Sequence, residues 1–340
     1  MRQILITPEI AAMAQEYSDG LFADKDGRFV QPTQGLKNII IDLQEVNNGL
    51  ANKERYIMYL EAIIEDYQNL KSILPSEFAT YKAKYDGILL GSPLSVSIKH
   101  RKAHLPATQI KRNNLNVSED IFYELVVERM HYKDSRSYLG PYMRRMGVNT
   151  CVYCNIAKAA ISPKRGEVYY TFDHNKPKSE YPFLCLCFYN LYPCCDNCNR
   201  HKSDDGRKGF QLYVELEPLK DPFVFEIDRE LIEEEGKKAV AISFKARDMA
   251  DSQFANDYND WFRIEDLYNT EDERRSCRQL LRLIDNHRAS YPDALKASVN
   301  LTVDREELFS VALGVKDDEN IFTDLKKKLK LDTAKDAGLL

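Results

Sequence analysis

No stretch of this 340-residue chain approaches 18 consecutive apolar residues, so no membrane-spanning helix is expected. The opening residues, Met1-Arg2-Gln3-Ile4-Leu5-Ile6-Thr7-Pro8-Glu9, lack the apolar core of a secretory leader. A cytoplasmic protein without membrane contact is the resulting expectation. Internal repeats and low-complexity tracts are absent. Net positive charge is absent too: 48 Lys and Arg against 53 Asp and Glu give −5, which argues against a protein that coats nucleic acid by bulk attraction. What is present, 44% hydrophobic and 30% charged residues, excludes disordered and collagen-like chains and suits one large or two to three small globular domains.

Eight cysteines in a reducing compartment point to metal binding and burial rather than to disulfides. Four of them form two CxxC knuckles, Cys151-Val-Tyr-Cys154 and Cys195-Asp-Asn-Cys198. A two-residue spacer lets both sulfurs of a knuckle face one point, so the pair predicts a tetrahedral zinc site. Four sulfur ligands leave no open position, which makes such a zinc structural. Cys194 offers a one-residue slip in place of Cys195. Cys185, Cys187, Cys194 and Cys277 lie in apolar or helical surroundings and are expected as small core residues. Residues 155–194, between the knuckles, must hold folded structure of their own.

Periodicity divides the chain into three. Residues 1–147 read as mainly helical. Leu36 to Leu74 carries apolar residues at three- and four-residue intervals, broken at Asn47-Asn48-Gly49 and ended by Pro75, with a short helix to follow over Glu77 to Tyr85. Ser118, followed by Glu119 and Asp120, has the chemistry of an N-cap and predicts a helix to about Met130. Residues 148–212 change character. Glu167 to Phe172 reads as a strand with Asp173-His174 at its end, then an irregular stretch through Pro177, Pro182 and Pro193, then a short helix over Cys198 to Lys202. Residues 213–340 mix the two. Phe223 to Ile227 and Val240 to Phe244 predict strands flanking an acidic helix or turn at Glu230 to Gly236, helix follows from Trp261 through Ile284, and Lys326 to Lys330 reads as the solvated basic end of an amphipathic helix. The expected class is α+β.

Asp173-His174, Asn190-Leu191 and Cys195-Asp-Asn-Cys198-Asn199-Arg200-His201-Lys202 together resemble the HNH branch of the His-Me finger nucleases, in the form whose ββα finger is stapled by CxxC knuckles. The segment from Asp173 to Leu184, with Phe188 to Pro193, is further similar to HNH proteins of bacterial anti-phage operons encoded beside ATPases, including the Septu type. The resemblance implies an endonuclease, with DNA favoured, that works in a defence complex with an ATPase partner. It makes His174 the general base, with Asp173 and Asn199 holding a catalytic Mg²⁺ or Mn²⁺ and Asn190 bracing the loop. Carboxylate and amide oxygens suit such a hard cation. His201, two residues beyond Asn199, is the alternative ligand. Arg200 and Lys202 are the expected phosphate contacts. A histidine acting as base near its usual pKa of about 6.5 implies activity that falls below that pH.

Positive charge also gathers ahead of the first knuckle. From Lys99 to Met146 there are ten Lys or Arg and five Asp or Glu, a local +5. Alone this is a solvated face; beside a nuclease-like site it becomes a phosphate path through Arg101, Lys102, Lys111 and Arg112. Two other functions stay open on the sequence: a non-catalytic zinc module that recognises nucleic acid or protein, and a nuclease directed at RNA, since nothing here separates ribose from deoxyribose.

Overall fold

The computed structural model describes residues 1–101, 117–160, 168–228, 240–297, 313–315 and 320–337, with backbone alone over 286–297. Lys102, Lys111, Arg112 and the acidic Glu230 to Gly236 segment lie outside the described residues.

Helix α1 (Pro8–Gly20) starts where Thr7 accepts from the Ile10 amide at 3.4 Å, with proline at a position that needs no N–H. Helices α2 (Pro32–Val46) and α3 (Lys53–Leu70) flank the expected break. Their Leu36, Ile39, Leu43, Tyr59, Leu60 and Ile63 side chains are buried. Pro75 opens a 3-10 turn in which the Glu77 carboxylate accepts from the Leu74 amide at 3.0 Å, and α4 (Phe78–Leu89) follows.

The helix expected from Ser118 begins later. Val117–Ile121 is a strand, β3, antiparallel to β2 (Ser97–Arg101), and α5 (Phe122–Arg129) starts after it. Pairing with β2, aided by the Ser97 hydroxyl on Glu119 (2.8 Å) and the contact of His100 with Asp120, outweighs the local capping chemistry. Helix α6 (Tyr132–Arg145) leads towards the first knuckle.

The central element is a short hairpin and a helix. Strand β4 (Thr171–His174) pairs antiparallel with β5 (Leu191–Cys194), in the register Asp173 opposite Tyr192 and His174 opposite Leu191, and α7 (Asp196–Lys202) follows. Two expectations are corrected. Val168 to Tyr170 lie outside the strand, with Tyr169 65% exposed, and Pro193 belongs to a strand rather than to irregular chain.

Two further two-stranded sheets complete the mixed α+β architecture. β1 (Ile4–Leu5) runs parallel to β6 (Tyr213–Val214), so the start of the chain is stitched to the segment beyond the hairpin. β7 (Phe223–Asp228) and β8 (Ala241–Ala246) form the expected antiparallel pair. They pack with α8 (Ser252–Phe262), α9 (Ile264–Tyr268) and α11 (Lys327–Asp336), while α10 (Glu271–Ala297) extends the helical run. The solvated face expected at Lys326 to Lys330 is overturned. Lys327 and Lys328 are buried, and the Lys328 ammonium sits 2.8 Å from Asp221 and 3.3 Å from Asp332. Buried side chains from all three regions join one hydrophobic cluster. Among the described residues no helix is long and apolar enough to cross a membrane.

Candidate functional site

The two knuckles are built differently and meet. In the first, the Cys151 amide donates to Ala157 O and the Asn155 amide to Cys151 O, both at 2.9 Å, and Asn155 takes a left-handed backbone (φ 55°) that turns the chain back. Val152 N donates to Pro193 O at 3.1 Å, which fixes this turn to β5. In the second, Cys195 caps α7, its sulfur accepting from the Cys198 amide at 3.5 Å. All four sulfurs lie within 4.8 Å of one another. A tetrahedron with zinc–sulfur bonds of about 2.3 Å has an edge of about 3.8 Å, so the group fits such an ion. The chemistry agrees, because four crowded, mostly buried thiols cannot ionise together without a cation. The four cysteines can therefore hold a structural metal such as zinc. Cys194 does not take part in this group. It is buried, with its sulfur 3.3 Å from the Thr171 hydroxyl. Cys185, Cys187 and Cys277 are buried as expected.

Asp173 and His174 are the last two residues of β4 and are both buried. One carboxylate oxygen of Asp173, Oδ2, accepts from the Tyr153 hydroxyl at 2.5 Å and lies 3.0 Å from the Lys202 ammonium. Burial pushes the Asp173 carboxyl above the ordinary carboxylate value, and the charge of Lys202 and the Tyr153 hydrogen bond oppose that rise. The His174 ring packs at a tilt of 52° against Tyr132, ring centroids 4.4 Å apart, and its Nε2 lies 3.3 Å from the Cys185 carbonyl. A carbonyl can only accept, so this contact assigns the proton to Nε2 and leaves Nδ1 with a free lone pair. Burial, aided by the positive charges of Lys178 and Lys202 and opposed by the Cys185 carbonyl, lowers the His174 pKa to about 3. Burial thus favours the neutral imidazole below its ordinary titration range near 6.5.

Asn190 is fully buried and fastens both ends of the intervening loop. Its Oδ1 accepts from the Lys176 amide at 2.7 Å, while Nδ2 donates to the Lys176 and Leu184 carbonyls at 3.2 Å each. Asn199, on α7, lines a cleft of about 920 Å³ together with Asp173 and His174. His201 is exposed and is not among the residues lining that cleft, whereas Asn199 shares the lining with Asp173.

The expected phosphate contacts need revision. Lys202 is entirely buried and its ammonium is held by Asp173 and by the His174 carbonyl at 2.8 Å, so it cannot reach a phosphate. Arg200 is exposed at the surface of α7. Arg101 pairs with Asp42 and Glu45, which offsets its charge, and Arg145 pairs likewise with Glu16 at 2.5 Å. Cations that do line the cleft are Arg129, Lys133, Arg136 and Lys178, which sequence reasoning left out of the site. Lys178 carried a visible signal, four residues after His174 in the same motif. Arg136 belonged to the basic Lys99 to Met146 stretch but nothing local singled it out, since its guanidinium is held beside β4 by donating to Tyr170 O at 2.8 Å. Acidic residues, Glu124, Glu128, Asp134 and Asp204, line the same cleft.

No family model, no curated protein and no solved structure matches this chain.

Proposed function

We propose that this chain is a divalent-metal-dependent endonuclease of the HNH type, with His174 as general base and DNA as the favoured substrate. The observation that carries the reading is the setting of His174. Its Nε2 is committed to a backbone carbonyl, Nδ1 is free, and the ring lines a cleft with Asp173 and Asn199 on a strand–strand–helix element bearing a four-cysteine group. A carboxylate and an amide oxygen facing one cleft suit a hard cation that keeps several waters. Bound there, Mg²⁺ or Mn²⁺ would supply positive charge for the phosphate and the leaving oxygen.

The residues divide the remaining work. Nδ1 of His174 takes a proton from the attacking water, and the contact of Nε2 with Cys185 holds the ring at a fixed angle. Asn190 keeps the loop that carries Cys185 in register with β4. Lys178, Arg136 and Lys133 are the cations placed to meet phosphate oxygens. The four-cysteine staple holds β5 and α7 against the first knuckle.

Resemblance to the ATPase-linked defence proteins extends the proposal to an effector that works with an ATPase partner. The internal pairing of Arg101 and Arg145 supports this in part, because a chain of net charge −5 with such cations offset has little autonomous hold on DNA. The competing reading, a non-catalytic zinc module, draws on the Asp173–Lys202 ion pair, which satisfies the carboxylate without a second metal. Incubating zinc-loaded protein with plasmid DNA and with RNA under Mg²⁺, Mn²⁺ and EDTA decides between them. The nuclease reading requires cleavage that EDTA abolishes, and the polymer that is cut names the substrate.

A further inference from the structure

We infer that Tyr153 and Lys202 are positioning residues that together grip one carboxylate oxygen of Asp173 and reserve the other for the cation, so that the cysteine knuckles and the cation site act as one mechanical unit. This rests on the nuclease reading above. Tyr153 is one of the two spacer residues between Cys151 and Cys154, so the knuckle itself fixes its backbone. Its ring stacks on Phe262 at 4.6 Å and 13°, and its carbonyl accepts from the Tyr258 hydroxyl at 2.9 Å. Lys202 is the last residue of α7, the helix that Cys195 caps and whose first turn carries Cys198. Each knuckle therefore sends one donor to the same atom, Oδ2 of Asp173, at 2.5 Å from Tyr153 and 3.0 Å from Lys202. Lys202 also donates to the His174 carbonyl at 2.8 Å, which fixes the backbone of the base.

A charge-neutralising partner alone would require only the lysine. Two donors from separate elements on one oxygen set the plane of the carboxylate, to which the His174 backbone also donates, and Oδ1 is then the oxygen that neither side chain grips, in the cleft that Asp173 lines. Partners of this kind, one bond removed from a metal, typically change affinity by about 10- to 100-fold when removed.

The test is Mn²⁺ binding to zinc-loaded protein, followed by calorimetry and by electron paramagnetic resonance, in Tyr153→Phe, Lys202→Met and Asp173→Asn. Zinc content and melting temperature are measured beside it. The inference predicts that Tyr153→Phe keeps its zinc and weakens Mn²⁺ binding by about 10-fold or more, with Lys202→Met weakening it at least as much. Unchanged Mn²⁺ affinity in Tyr153→Phe, or tighter binding in Lys202→Met, overturns it, the latter because Lys202 would then merely compete with the cation. If Asp173→Asn loses Mn²⁺ while the other two variants keep it, the positioning role fails and the cation site stands. If Asp173→Asn binds Mn²⁺ like the wild type, the cation site itself is wrong and the inference falls with it.

Discussion

At the scale of single residues, the strongest constraint is on a proton. Because His174 Nε2 faces the Cys185 carbonyl, the neutral tautomer is fixed, and nitrogen-15 spectra at pH 6 should show Nδ1 unprotonated. The sign of the pH effect follows from the depressed pKa. In the unfolded chain His174 binds a proton near 6.5 and in the fold near 3, so between these values the unfolded state holds more protons. The contribution of this histidine to stability is present above pH 6.5 and is lost as pH falls towards 3. Cleavage by the base should persist below pH 6, and a rate that halves at about 6.5 with chemistry limiting would show that His174 titrates as an exposed group. A second prediction separates ligands. Asn199→Ala should lower cleavage by orders of magnitude while His201→Ala leaves it within a few-fold, and the reverse ranking moves the ligand to His201. Residue types at this site were legible in the sequence, since Asp173, His174, Asn190 and Asn199 stand out by order and spacing. Burial was not. Nothing local distinguishes a lysine that meets phosphate from one sealed against Asp173, because the difference lies in Tyr153 and the hairpin that enclose it.

Among elements, legibility followed how local the deciding interaction is. The knuckles were readable because two-residue spacing is itself the geometry. Helices α2 and α3 were readable because their periodicity repeats over several turns. Strand β4 was misplaced by several residues because Tyr169 and Tyr170 have strand propensity, whereas its limits are set by pairing with Leu191–Cys194, a partner twenty residues away whose Pro193 had read as loop. Ser118 failed for the same reason. The staple yields the prediction belonging here: Cys151→Ser should release one zinc per chain and lower the melting temperature, with increased amide exchange concentrated in β4, β5 and α7. Cys194→Ser should keep the zinc. Metal analysis with hydrogen exchange checks both, and zinc lost from Cys194→Ser instead would restore the one-residue slip.

For the molecule as a whole, the surprise lies in the last described helix. α11 carries Lys327 and Lys328 inward, and Lys328 bridges Asp221 and Asp332 while Arg247 pairs with the same two carboxylates at 3.0 and 3.1 Å. A lysine-rich run normally marks a solvated face; here its partner Asp221 lies over a hundred residues back, out of reach of any local pattern. Removing one member of a buried ionic group leaves the others uncompensated. Lys328→Ala should therefore cost about 3–5 kcal/mol in denaturant unfolding, and a loss below about 1 kcal/mol would place this helix outside the cooperative core. Beside this packing, the Tyr258 and Tyr268 hydroxyls donate to the Tyr153 and Cys154 carbonyls at 2.9 and 2.8 Å, which ties α8 and α9 to the first knuckle. The hairpin and α7 are thus embedded in the larger body, which also lines the cleft through Phe29, Val30 and Gly35.

The central claim, that His174 drives metal-assisted phosphodiester cleavage, is tested most directly without DNA binding or a partner protein. Hydrolysis of the small diester bis(4-nitrophenyl) phosphate by zinc-loaded protein in Mn²⁺ is followed for the wild type and for His174→Ala. The account predicts Mn²⁺-dependent nitrophenolate release that EDTA abolishes and that falls by about 10²- to 10⁴-fold in His174→Ala, with zinc content and melting temperature retained. Equal rates in the two proteins, or no Mn²⁺-dependent release by the wild type, would contradict it.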